Sequence, residues 1–319
     1  MADVIFLDNR QVSEILKMSD CIDVVEELFY KFYEPESETA IQMPPKTYLD
    51  IPSGDFRAMP ALVENTAGIK WCGVHLDDTG TKRKVNIFAK VLINDVETGK
   101  LLAIMDGEII TAIRTAAVTG VATKYLSPQH AKVASFIGCG NQTRYQIEAI
   151  LRVRDIEQIR LFDLDKKRAS EMSKRFAAID TAVCGSLEEC VSNADIVTTL
   201  TPSRKGFLEH EWLKPVVHIN AVGADAQGKR ELDISVLNGI DLVCYDEWQQ
   251  CSHSGEVQYS HEMDGSSRGS QTWCPLAHVV AKALPTSHCK QTLFDATGLA
   301  IEDIVTARLI YDKVKEDGA

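Results

Sequence analysis

No stretch of the sequence supplies the ~18 consecutive apolar residues that a membrane-spanning helix needs. Positive charge is scarce too. No basic run is longer than Lys82-Arg83-Lys84, and 46 acids against 34 bases leave a net charge of −12. A chain of that sign lacks the electrostatic footprint of nucleic-acid binding, and anionic membrane surfaces are disfavoured on the same ground. No Cys-x-x-Cys or His-x-x-x-His spacing occurs. Cys251, His253 and His261 stand close together without the spacing of metal ligands, so no metal is expected. A Gly-x-Ser-x-Gly elbow and a P-loop are both missing, which argues against a serine hydrolase and a phosphoryl-transfer enzyme. The nine cysteines are odd in number and scattered. They fit reduced, buried thiols of a cytoplasmic protein rather than a disulfide framework. Met1–Asp8 carries acids where a secretory signal needs positive charge, and reads as a short strand.

What is present is an ordinary globular composition, with 319 residues, 45% hydrophobic and 25% charged, enough for about two domains. From about residue 130 to 245 short apolar runs alternate with helical patterns. Strands are predicted at Val133–Ile137, Ile159–Phe162, Thr181–Cys184, Asp195–Leu200, Val216–Ala221 and Leu242–Tyr245. Helices are predicted at Gln142–Val153 and Lys166–Ala178. Continuous apolar strands between helices imply a doubly wound parallel sheet covered on both faces. The first ~120 residues are an α+β unit, with one helix over Ser13–Phe32, strands at Lys46–Leu49, Arg57–Leu62, Gly68–Val74 and Ile87–Ile93, and a hairpin turn at Asn94–Gly99. Leu299–Val314 reads as an amphipathic helix burying Ile301, Ile304, Val305, Leu309 and Ile310. The expected fold is therefore α/β. A Rossmann-type domain, residues 123–295, is inserted in a discontinuous α+β domain made of 1–122 and 296–319.

Gly138-Cys139-Gly140-Asn141-Gln142 follows a strand and opens a helix, the context in which a glycine pair has meaning. The first glycine permits the tight turn, and the second lets backbone approach a pyrophosphate that the helix N-terminus favours. Thr143 stands at the third fingerprint position, so the motif is imperfect. Asp163 lies 23 residues past Gly140, at the end of the next strand, where an acid binds the ribose 2′-hydroxyl and repels a 2′-phosphate. NAD is therefore preferred over NADP. Thr201, Pro202 and Ser203, and likewise Val222 and Gly223, follow later strands and join the cofactor-binding set.

Cations stand in apolar company in the first domain. Lys70 lies in Gly68-Ile69-Lys70-Trp71, Arg114 in Ala112-Ile113-Arg114-Thr115-Ala116, Arg57 opens Arg57-Ala58-Met59-Pro60, and Lys46 follows Met43-Pro44-Pro45. Such a charge either snorkels to water or is paired, and four of them point to a pocket for a carboxylate. Lys70, with its pKa lowered by apolar neighbours, is the candidate for proton transfer. Asp225, in the loop after Val216–Val222, is either a general acid/base or a cap on a following helix.

Together these segments resemble the ornithine cyclodeaminase/μ-crystallin family, most of all its archaeal-type alanine dehydrogenase branch. The likeness continues through Gly228-Lys229-Arg230-Glu231-Leu232-Asp233 and Phe294-Asp295-Ala296-Thr297-Gly298-Leu299. It implies a homodimer whose first domains join in a barrel-like unit, and NAD at Gly138–Gln142 and Asp163. It also implies a substrate carboxylate held by Lys46, Arg57, Lys70 and Arg114, with Asp225 as the acid or base beside the nicotinamide. The substrate implied is a small amino acid or its keto or imino acid. Activities in view are alanine dehydrogenation, ornithine cyclodeamination with internally recycled NAD, cyclic imine reduction and a non-enzymatic crystallin-like binding role. The stretch Asp77–Ile87 departs from the Asn-Pro…Gly-Leu-Pro-Thr pattern common in the family, and this bears on the substrate side chain.

Overall fold

The computed structural model describes residues 4–33, 41–77, 84–284, 286 and 288–317, so most of the Asp77–Ile87 stretch lies outside the described residues. The chain forms two compact units, Met1–Thr115 with Leu299–Ala319, and Ala116–Gly298. No helix among the described residues is long and apolar enough to cross a membrane.

The first unit is built on one sheet of β1 (Ile5–Leu7), β2 (Ile41–Gln42), β3 (Thr47–Ile51), β4 (Gly54–Val63), β5 (Thr66–Asp77), β6 (Lys84–Asp95) and β7 (Leu101–Asp106). Its order is β1-β7-β6-β5-β4-β2, with β3 also on β4; β1 runs parallel to β7 and every other pairing is antiparallel. The single helix expected over Ser13–Phe32 is two, α1 (Asn9–Ile15) and α2 (Met18–Tyr33). Asp8 starts the first early through a reciprocal capping box with Gln11, and Leu16, buried and extended, ends it. Along α2 the residues Met18, Cys21, Ile22, Val25, Leu28 and Phe29 form the buried stripe.

The C-terminal helix, Ala300–Asp317, is not the amphipathic helix its sequence suggests. Glu302 and Asp303 are fully buried beside Ile301 and Ile304, whereas Val305 and Leu309 are only half-buried. The acids are inside because buried cations meet them there. On the opposite face of the sheet Leu49, Phe56, Trp71 and Phe88 are exposed, with Phe56 and Trp71 stacked at 5.7 Å.

Helix α3 (Gly107–Leu126) carries the chain into the second unit, where α4 (Asn141–Val153) follows the first strand. The second unit's sheet holds β8 (Val133–Ile137), β9 (Gln158–Phe162), β10 (Asp180–Val183), β11 (Ile196–Thr199) and, past β12 (Arg204–Leu208), β13 (Val217–Ala221). Beyond β14 (Arg230–Leu232) it is completed by β15 (Leu242–Tyr245), β16 (Thr272–Pro275) and β17 (Gln291–Asp295). The order is β10-β9-β8-β11-β13-β17-β15-β16, every pair parallel, and β12 and β14 form a separate parallel ladder.

Strand β17 sits between β13 and β15 yet was absent from the sequence reading, as was β16. Both carry polar residues that hide an apolar run; in β17, Thr292 Oγ1 donates to the Leu126 carbonyl at 3.1 Å. Neighbouring residues along β8 and β11 feed opposite faces of the sheet. Phe136 and Ile196 pack with Ile147, Ile159 and Met172 on one side, while Ile137 and Val197 pack with Ile219, Val243 and Leu293 on the other. Helix α5 (Lys166–Arg175) stops three residues before the expected end. Strand order reverses between β8 and β11, and open α/β sheets bind ligands at that switch point, outside the carboxyl ends of the strands.

Candidate functional site

At the carboxyl end of β8 the backbone turns sharply. Gly138 has φ +93°, and a Cβ there would lie 2.9 Å from the Leu200 carbonyl. Its N–H donates to Phe162 O at 2.8 Å, tying the turn to β9. Gly140 is the N-cap of α4 with no side-chain cap, and a Cβ on it would meet nothing within 4 Å. Thr143, the departure from the fingerprint, is fully buried and donates its hydroxyl to Gly138 O at 2.6 Å. It locks the turn from below, where glycine would merely permit close packing. Asn141 is exposed and Gln142 half-buried on the same first turn. Asp163 is brought to this turn as expected: Oδ2 accepts from Cys139 N and Oδ1 from Asp165 N, both at 2.7 Å.

The next two strands end beside it in steps. Leu200 N donates to Ile137 O at 2.8 Å, and Val222 N to Thr199 O at 3.1 Å. The loops Thr201–Ser203 and Val222–Gly223 therefore leave the sheet on the same side as the glycine turn. Asp225 lies further along, its N–H donating to Gly223 O at 3.1 Å and its carboxylate paired with Lys229. Strand β14 follows it, so there is no helix there for Asp225 to cap.

In the first unit Arg57 and Lys70 occupy adjacent strands. Arg57 is in register with Cys72 and Lys70 with Met59, so both cations project from one face, two rungs apart. Lys70 and Arg114 are almost fully buried and share one acid. Lys70 Nζ lies 2.7 Å from Asp303 Oδ2, while Arg114 donates Nε–H to Asp303 Oδ1 and Nη1–H to Glu302 Oε2, each at 2.8 Å. Burial, then the charge of Arg114, push the Lys70 pKa down against the pull of Asp303. Burial alone would raise Asp303, but Arg114 and Lys70 outweigh it and hold the carboxyl below its usual range. Arg57 is bound to Asp55 at 2.6 Å and lies over the Tyr48 ring, and Lys46 stands just ahead of β3.

The model of the ornithine cyclodeaminase/mu-crystallin family matches residues 3–318. The chain belongs to this family. An alanine dehydrogenase of Archaeoglobus fulgidus is 35% identical over 316 residues, 97% of this chain and 95% of that protein. The solved structure of an archaeal alanine dehydrogenase dimer with bound NAD superposes with a TM-score of 0.88 at 34% identity, covering 99% of this chain and 97% of that one. Thermococcus litoralis Δ(1)-pyrroline-2-carboxylate reductase, solved with NADH and L-proline, gives 0.87 at 31% identity, with 99% of both chains covered.

The residues present fit the dinucleotide on which this family's enzymes depend. The uncapped start of α4, the open approach over Gly140 and the acid at Asp163 are what a pyrophosphate and a ribose require. Three acids escaped the sequence reading. Glu302 and Asp303 were hidden in a helix read as having a polar face, although two adjacent acids inside Ala300-Ile301-Glu302-Asp303-Ile304-Val305 were a usable signal. Glu231, fully buried in β14, was quoted only as part of a motif.

Proposed function

We propose that this family member is an NAD-dependent alanine dehydrogenase. It converts L-alanine, NAD and water to pyruvate, ammonium, NADH and a proton, through an imino acid. The observation that carries the reading is the pair of buried cations, Lys70 and Arg114, in a chain that matches an alanine dehydrogenase almost end to end. When bound, NAD supplies the hydride acceptor. Gly138, Gly140, Asn141, Gln142 and Asp163 hold it, with Thr201, Pro202, Ser203, Val222 and Gly223 along the neighbouring loops.

Arg114 and Lys70 grip the substrate carboxylate, with Arg57 and Lys46 supporting them. A guanidinium has five N–H donors, and the bonds to Asp303 and Glu302 use two, so Arg114 retains capacity for a carboxylate. Fixing that group fixes Cα, a positioning effect worth several kcal/mol of the barrier. Lys70, its pKa lowered by burial and by Arg114, moves the proton of the substrate amine, and Asp225 is a second acid/base. Asp163 selects NAD over NADP.

The protein works as a homodimer in this reading, because the exposed face bearing Leu49, Trp71 and Phe88 is the kind of apolar patch a second copy covers. Light scattering tests that assembly. Eight of nine thiols are buried and none is bridged, which supports a reducing, cytoplasmic setting.

NADH fluorescence with L-alanine and NAD, and in reverse with pyruvate and ammonium, tests the activity. Net NADH formation from L-alanine supports it. A second reading, cyclic imine reduction, draws on the likeness to the pyrroline-2-carboxylate reductase. It replaces the first if a cyclic imine consumes NADH while pyruvate and ammonium do not. Conversion of L-ornithine to proline with no net NADH makes the protein a cyclodeaminase.

A further inference from the structure

Glu231 has no role in the scheme so far, yet it sits between two loops assigned to the dinucleotide. Its fully buried carboxylate accepts Thr201 N–H at 2.6 Å on Oε1, and the Thr199 hydroxyl at 2.7 Å and Gly223 N–H at 2.8 Å on Oε2. All three partners donate, so an acceptor-only group is needed; an amide would turn its NH2 toward another donor. The fit has no slack. A Cβ on Gly223 would lie 2.5 Å from the Glu231 carboxyl carbon and 2.3 Å from the Thr201 carbonyl oxygen. Glu231 is itself fixed from behind, its backbone N–H donating to Glu256 Oε1 at 2.6 Å. Burying a carboxylate is costly, and it is tolerated where its hydrogen bonds are complete and their geometry matters.

We propose that Glu231 is a positioning residue of the dinucleotide site. It ties the loop after β11 to the loop after β13, and so sets the backbone that receives the nicotinamide half of the cofactor. The proposal rests on the NAD reading above. In a doubly wound sheet the two halves of a dinucleotide fall on opposite sides of the switch point. Gly138–Gln142 and Asp163 belong to the β8–β9 side, and none of Glu231's three bonded partners lies there.

Calorimetric titration of NAD and of AMP into wild type, Glu231→Gln, Thr199→Val and Thr199→Ser tests it, alongside amide hydrogen exchange. Glu231→Gln is expected to weaken NAD about tenfold or more, to leave AMP within about twofold, and to speed exchange at Thr201 and Gly223. Thr199→Val is expected to weaken NAD a few-fold, and Thr199→Ser, which keeps the hydroxyl, to restore it. Wild-type NAD affinity in folded Glu231→Gln overturns the proposal, and so does a parallel loss of AMP, which signals general damage. If Glu231→Gln does not fold, the Thr199 pair decides, and unchanged NAD affinity in Thr199→Val overturns it. Failure of the wild type to bind either nucleotide overturns the NAD reading itself, a distinguishable result.

Discussion

Both units bury charge, by opposite means. In the first, charge meets charge: Lys70 and Arg114 face Asp303 and Glu302, acids that arrive from the far end of the chain. In the second, buried carboxylates meet mostly backbone N–H groups. Glu231 takes Thr201 and Gly223, and Asp246 takes Thr297 and Gly298 at 2.6 and 2.9 Å. The first arrangement holds cations inside a core, where the proposed reaction has them meet an acidic substrate. The second shapes loops without a cation bonded to the buried carboxylate itself. Removing a partner should therefore damage stability in the first unit and binding in the second.

The largest effect is expected from Asp303→Ala, which leaves Lys70 and Arg114 buried with one acid between them. Breaking a buried pair costs about 3–5 kcal/mol, read as a loss of unfolding free energy in urea. The double variant Lys70→Met with Asp303→Leu should lose less than the sum of the singles, and additivity would show that the pair is not coupled. Gly223→Ala comes next. Its Cβ would collide with the Thr201 carbonyl, costing about 1–3 kcal/mol by thermal or chemical unfolding, together with NAD binding.

Asp295 supplies a pH test of the second unit. Burial, with Asp246 and Glu231 nearby, raises its pKa to about 8. A carboxyl neutral in the folded state and ionised in the unfolded one stabilises below its ordinary pKa. That contribution is lost as pH rises through about 8. Stability should fall by on the order of 1–2 kcal/mol between about pH 6 and pH 8, and Asp295→Asn should flatten the slope. The smallest effect is Asp163→Ala. It is expected to weaken NAD about tenfold, roughly 1.4 kcal/mol, and to narrow the preference over NADP, with little change in unfolding.

The same contrast explains what the sequence revealed. The second unit's site was legible because its devices are local: a glycine with φ +93°, a helix start, and an acid one strand later all lie within 26 residues of chain. Central strands buried on both faces announced themselves as apolar runs, whereas β17, with Gln291, Thr292 and Asp295, did not. The cations of the first unit were conspicuous among apolar neighbours, but their partners were not, since Asp303 lies 189 residues from Arg114. Periodicity assumes that acids face water, and a buried ion pair breaks that assumption. Glu231 was missed for the same reason, two of its three donors being backbone groups without a sequence signature.

A crystal structure of the protein soaked with NAD and pyruvate tests the central claim most directly. The expected result is pyrophosphate density over Gly138–Gly140 at the start of α4, and the pyruvate carboxylate bonded to Arg114 and Lys70. Dinucleotide bound away from that turn, or pyruvate held by other residues while Lys70 and Arg114 keep only Asp303 and Glu302, would contradict it.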